Sequence, residues 1–175
     1  SEFGPRALGS RSIIGDPRNK DMQTRLNLKI KFRESFRPFA PSILKEKSNH
    51  YFELDKESPY MMLVTPINKN KRLSTKSNQT ENMLEIVKQA RSEIPAVTHI
   101  DYSARVQTVD KKINNKFYEI IKEFENQTEC PLVINTSFNS HEEPIVRTYE
   151  DGLKEFKKGV IDLIMLENRL FEKRK

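Results

Sequence analysis

The chain has one cysteine, Cys130, among its 175 residues, so no internal disulfide can form. Histidine is scarce too. His50, His99 and His141 are scattered, and with Cys130 they lack the spacing of a metal site. Two phosphate-binding signatures are missing, GxxxxGK[ST] and GxGxxG. No apolar run approaches the roughly 20 residues that cross a bilayer, so no transmembrane helix is expected. The opening stretch carries no signal-peptide apolar core. Nothing argues for secretion, and a cytoplasmic location is the expectation. No internal repeat or low-complexity segment interrupts the chain.

What is present is charge. Apolar residues make up 35% of the chain and charged residues 32%. The length suits one domain over residues 1–175, large enough to bury most of its apolar surface. The net charge is +6, and it is uneven. Residues 1–47 hold 11 basic and 5 acidic residues, while the remainder holds 20 of each. A basic first quarter draws anions, either a small phosphate ligand or a nucleic-acid backbone. Composition alone favours the plainer reading, a solvated basic face.

Periodicity gives alternating elements. Ser12–Gly15 reads as a short strand, and Met22, Leu26 and Ile30 place an amphipathic helix over about 18–30. Pro38 and Pro41 force "RPFAPSIL" (37–44) into an extended strand, expected at an edge or with a bulge. "SNHYFEL" fits one helical turn, and "YMMLVTPI" (60–67) a buried strand. Residues 68–80 are polar and basic and read as a mobile loop. A helix carrying Met83, Val87 and Ala90 follows Thr80 as N-cap. "AVTHI" and "ARVQTV" read as two strands. Ile113, Phe117, Ile120, Ile121 and Phe124 form the apolar stripe of a helix over 113–126. "PLVIN" (131–135) is a buried strand, with Cys130 an inert strand-edge residue because no histidine lies near it in sequence. Thr148 and Asp151 open a helix that Gly159 ends. "VIDLIML" is a last strand, followed by a charged tail. The pattern is α/β with a mixed sheet.

Four segments carry polar residues that periodicity does not explain. In "GPRALGSRS", Gly4 and Gly9 flank Arg6, and a guanidinium held in a rigid loop can clamp an oxyanion bidentately. In "KIKFRESFRPF", Lys31, Arg33 and Arg37 share parity, so an extended segment puts them on one face. A helix would also make Arg33 and Arg37 neighbours. Either an anion or Glu34 relieves their repulsion. Arg105 lies in an otherwise apolar strand with Gln107, and needs a carboxylate or a ligand phosphate. In "VINTSFNSHEEP", a buried strand runs into Asn135, Thr136, Ser137 and Asn139, at a strand end where α/β sheets place ligands. Each segment also has a plain reading as turn or surface chemistry. Together they indicate an anion-binding α/β domain, with phosphate as the anion.

The segments "EFGPRALGSRSI", "RLNLKIKFRESFRPFAPSIL", "PAVTHIDYSARVQTV" and "NTSFNSHEEPIV" resemble, in this order, the C-terminal domain of the O-carbamoyltransferases. That family includes the nodulation-factor, cephamycin and tobramycin carbamoyltransferases. The match runs from Glu2 to about Asp162. It implies a YrdC-like fold, a twisted mixed sheet with flanking helices and a basic concave face. It also implies a larger N-terminal actin-like domain of the same polypeptide, holding iron and performing the transfer. The chain is then an excised C-terminal domain.

By the same resemblance this domain takes carbamoyl phosphate and ATP, with Mg²⁺, and makes carbamoyladenylate. Arg6, Lys31, Arg33, Arg37, Arg105, Ser137 and Asn139 are the implied substrate contacts, with Lys31, Arg37 and Ser137 in the catalytic positions. Where many relatives have glycine, this chain has Glu142, which bears on the loop geometry. The alternative is a nucleotide- or RNA-binding YrdC-like module without catalysis of its own. Nucleic acid is not the expected partner, because the cations fall in compact motifs and Phe32, Phe36 and Phe39 fit core positions.

Overall fold

In the computed structural model, residues 6–74, 89–140, 143–159 and 161–173 are described. The expected helix after Thr80 lies outside them, as do Gly4, Pro5 and Glu142. The elements run β1 (Ser12–Gly15), α1 (Met22–Leu26) passing into a π turn (Asn27–Lys31), β2 (Ala40–Leu44), α2 (Ser48–Tyr51) and β3 (Leu63–Pro66). Then come β4 (Ser103–Val109), α3 (Asn115–Thr128), β5 (Leu132–Ser137), α4 (Tyr149–Lys157), β6 (Leu163–Leu166) and β7 (Arg169–Glu172). Five strands form one mixed sheet in the order β1-β5-β2-β4-β3, and β6 and β7 form a hairpin. Only β2 and β4 are parallel. The architecture is a mixed α/β sheet with flanking helices.

Alternation sorts the sheet into two faces. Ile43, Ala104, Val106, Leu132 and Ile134 belong to the larger core. On the other face Leu44, Val109 and Val133 pack against Phe117 and Ile121 of α3. Helix α3 starts where Asn114 caps it, the side-chain oxygen accepting from the Phe117 N–H. Helix α4 carries the expected capping box of Thr148 and Asp151, and Gly159 beyond it is left-handed. Cys130 is buried, and burial pushes its thiol up to about 11, which leaves it inert. No helix among the described residues is long and apolar enough to cross a membrane.

Several elements differ from the periodic reading. The 37–44 strand is interior, between β5 and β4. Pro41 is tolerated because it pairs with Ile134 of β5, while the β4 ladder begins at Ser42, so no donor is asked of it on that side. The 60–67 strand is shorter and lies at the sheet edge. Met61 is left-handed, and of Leu63–Pro66 only Thr65 is buried. "AVTHI" is no strand: Pro95 starts a 3₁₀ turn over Pro95–Val97. Ile113 lies before the cap of α3 and is 71% exposed, outside the stripe. The first half of 68–80 is tied down, with a 3₁₀ turn at Lys69–Lys71 and Arg72 bridged to Ser92. The charged tail pairs back as β7 through a turn with Glu167 left-handed.

Candidate functional site

The face of the sheet that α3 covers is apolar only at one end. Three adjacent strands next carry Ser42 of β2, Gln107 of β4 and Asn135 of β5, all buried. The Ser42 hydroxyl donates to Gln107 Oε1 at 2.6 Å. Asn135 Nδ2 donates to Gln107 Oε1 at 2.9 Å and to Ser42 Oγ at 3.0 Å. Two residues further along the same strands stand Arg105 and Ser137, on the same face by the period of two.

Lys31 ends the π turn and is buried. Its ammonium reaches four oxygens: Ser137 O at 2.6 Å, Asn139 O at 2.9 Å, Asn139 Oδ1 at 2.8 Å and Ser137 Oγ at 3.2 Å. The Ser137 hydroxyl donates to Asn139 Oδ1 at 2.6 Å, and Asn139 Nδ2 donates to Glu143 O at 2.8 Å. The turn after β5 is thus folded around one buried cation. Burial brings the Lys31 ammonium down to about 8, and the neighbouring Arg33 charge adds to that.

Phe32 follows in the left-handed region at φ 44° and reverses the chain. Arg33 therefore returns by a turn rather than by strand parity. Its Nε donates to Asn27 Oδ1 at 2.6 Å, and its guanidinium lies over the Phe39 ring. Asn27 is fully buried, and its Nδ2 holds the backbone oxygens of Ser35 and Arg37. Arg37 is more exposed and lies 3.8 Å from Glu34. Lys31, Arg33, Arg37, Thr136, Ser137, Asn139 and Ser140 line one cavity of about 210 Å³.

Arg105 and Arg6 stand apart from that lining but within its field. Burial pulls the Arg33 guanidinium down, and Arg37 and Arg105 act on it in the same direction. Burial also pulls Arg105 down, and Arg6 repels it. The five cations are thus linked pairwise by repulsion, with Glu34 and Glu155 opposing it at Arg33 and Lys31. Arg6 Nε and Arg105 Nε are buried and meet no hydrogen-bond partner among the described residues. The contact found for Arg105 NH2 is the Met61 sulfur at 3.9 Å. Buried donors without partners are costly, and two like charges side by side more so. An oxyanion between them would relieve both.

Sequence reasoning passed over Ser42 and Asn114 and read Asn135 only as part of a turn. Single amides and hydroxyls at inward positions of apolar strands were the available signal. It also misplaced two aromatics: Phe32 is 62% and Phe36 45% exposed, and of the three only Phe39 is core. The turn at Phe32 commits Lys31 inward and turns its neighbour outward.

The fold and this field define a mixed α/β domain that concentrates cations on one part of a sheet. The family profile for Carbamoyltransferase C-terminus matches residues 1–173, and the chain belongs to that family. It is 51% identical to an uncharacterized protein of Synechocystis over 98% of this chain and 28% of that protein. It is 41% identical to nodulation protein NolNO of Sinorhizobium fredii, over 99% of this chain and 23% of that protein. For nodulation protein NolO of Bradyrhizobium diazoefficiens the identity is 38%, over 99% and 29%. The chain thus spans about a quarter of the length of these relatives.

The depressed Lys31 value has a testable consequence. A cation with a value of about 8 is charged below that pH and neutral above it. Affinity of this cavity for an anion, read with sulfate, is expected to fall as pH rises through about 8. Lys31→Arg should remove that step, because arginine stays charged. Isothermal titration at pH 7 and pH 9 on both proteins checks this, and a flat wild-type profile contradicts it.

Proposed function

We propose that this chain carries the carbamoyl phosphate and ATP half-reaction of O-carbamoyl transfer. The observation that carries the reading is the pair Arg6 and Arg105, two guanidiniums in mutual repulsion with buried Nε donors that lack partners. Water cleaves carbamoyl phosphate to carbamate and phosphate. A carbamate oxygen then attacks the α-phosphorus of ATP, the α–β anhydride bond breaks, and pyrophosphate leaves. Both steps gather negative charge on non-bridging oxygens. Fixed guanidiniums stabilise that charge without moving a proton. Lys31 directs its N–H bonds at the Ser137–Asn139 turn, so in this reading it holds that turn and lends it charge. Mg²⁺ accompanies the ATP phosphates.

The transfer to a hydroxyl acceptor belongs to the N-terminal actin-like domain and its iron in this reading. The 175-residue chain, given ATP, Mg²⁺ and carbamoyl phosphate, should release pyrophosphate, and AMP as water hydrolyses the carbamoyladenylate back to AMP and carbamate, only when both substrates are present. Carbamoylation of an acceptor by this chain alone would contradict that division of labour.

A second reading has one observation in its favour. Exposed Phe32 and Phe36 flank Arg33 and Arg37, and aromatics beside cations suit stacked bases. In a nucleotide- or RNA-binding module, single-stranded RNA would bind with strong salt dependence and without pyrophosphate release.

A further inference from the structure

We infer that Gln107 and Asn114 are positioning residues that hold the Arg6 loop in place by clamping one carbonyl, that of Leu8. The inference rests on the anion-binding reading of Arg6 above.

The Leu8 oxygen accepts from Gln107 Nε2 at 3.1 Å and from Asn114 Nδ2 at 3.3 Å. Two amides from different elements, β4 and the cap of α3, thus meet on one carbonyl two residues from Arg6. Neither amide is free to turn away. Gln107 Oε1 already accepts from Ser42 Oγ and Asn135 Nδ2, which directs its NH2 group at Leu8. Asn114 Oδ1 accepts from the Phe117 N–H as the helix cap, which directs its Nδ2 the same way. The next residue adds two further restraints. The Gly9 N–H donates to Ser12 Oγ at 3.0 Å, and Gly9 lies flush on the Phe117 ring.

Such a clamp has work to do here. Arg6 and Arg105 repel each other, and their buried Nε atoms gain nothing from protein partners. That repulsion acts to part the two side chains, and buried Ala7 next to Arg6 is one restraint against it. The buried Ser42–Gln107–Asn135 network, acting through Gln107, opposes that motion and keeps Arg6 within the influence of Arg105. This also accounts for a polar network inside a sheet where apolar residues would pack as well.

The test uses substitutions that spare the fold. Asn114→Asp keeps the oxygen that caps α3 and removes the donor to Leu8. Gln107→Met keeps the volume and removes its donor together with the oxygen that accepts from Ser42 and Asn135, so its melting temperature is read alongside. Each is expected to weaken carbamoyl phosphate binding about three- to tenfold, the fold-change of one lost hydrogen bond. In an Arg6→Ala background neither should weaken it further, because the clamp acts through Arg6. Equal losses with and without Arg6, or no loss in either variant, overturn the inference. Amide hydrogen exchange over residues 8–12 is read in parallel, and should quicken in both variants. If wild type binds no carbamoyl phosphate, the anion reading fails. Unquickened exchange overturns the clamp itself, whatever the binding result.

Discussion

In the proposed half-reaction, Arg105→Ala is expected to reduce pyrophosphate release from ATP and carbamoyl phosphate by about a hundredfold or more, the usual cost of one fixed donor to a developing oxyanion. The same substitution should leave thermal stability unchanged or slightly raised. Arg105 sits in β4 beside the edge strand, with a buried Nε that has no partner. Burial and Arg6 both weigh against its charge. A residue whose charge costs the folded state, and whose removal costs activity, is placed for a ligand. Calorimetric melting and a pyrophosphate assay on one preparation decide the matter. A lowered melting temperature with full activity would make Arg105 a structural residue and remove it from the site.

Gly9→Ala should be the most damaging glycine-to-alanine change among the described residues. Gly9 has φ 115°, a region that side chains rarely enter. A Cβ there would meet Phe117 Cδ1 at 2.4 Å and Cγ at 2.5 Å. Phe117 is buried against Leu44, Val109 and Val133, so the ring has nowhere to retreat. Backbone strain and overpacking together cost about 2–6 kcal/mol. Melting should fall by roughly 5–20 °C for a chain of this size. Gly159→Ala is the control. Its φ is 97°, but the nearest atom to an added Cβ is the flexible Lys173 Nζ at 3.7 Å. That substitution should cost the backbone strain alone, about 1–3 kcal/mol. Equal losses at both glycines would show that the Phe117 contact gives way.

Much of the fold was legible in local sequence. Ser12–Gly15, the helix through Phe117 and Ile121, the strand from Leu132 and the box at Thr148 follow from period and capping, which are properties of neighbours in the chain. The failures share one cause. "RPFAPSIL" was expected at an edge because proline lacks a donor, yet β2 is interior, since the register starts the second ladder after Pro41. "YMMLVTPI" was expected inside because it is apolar, yet it forms the edge strand. Which strand ends a sheet is a property of pairing between distant segments, and an apolar run does not encode it.

The candidate site divides the same way. By itself the sequence determined the chemistry: a basic first quarter, compact cation motifs at Arg6, Lys31–Arg37 and Arg105, and a polar turn at Ser137 and Asn139. Those motifs lie up to about 130 residues apart, and neither period nor spacing brought them together; the family resemblance alone implied a shared site. Only the tertiary structure decided that the Lys31 ammonium closes onto the Ser137–Asn139 turn, that Arg6 and Arg105 share one field, and that Phe32 and Phe36 face outward. The physical reason is that like charges do not assemble of their own accord. They are brought together by strand register, by a left-handed turn at Phe32 and by hydrogen bonds to a single carbonyl, all of which form only when the sheet does.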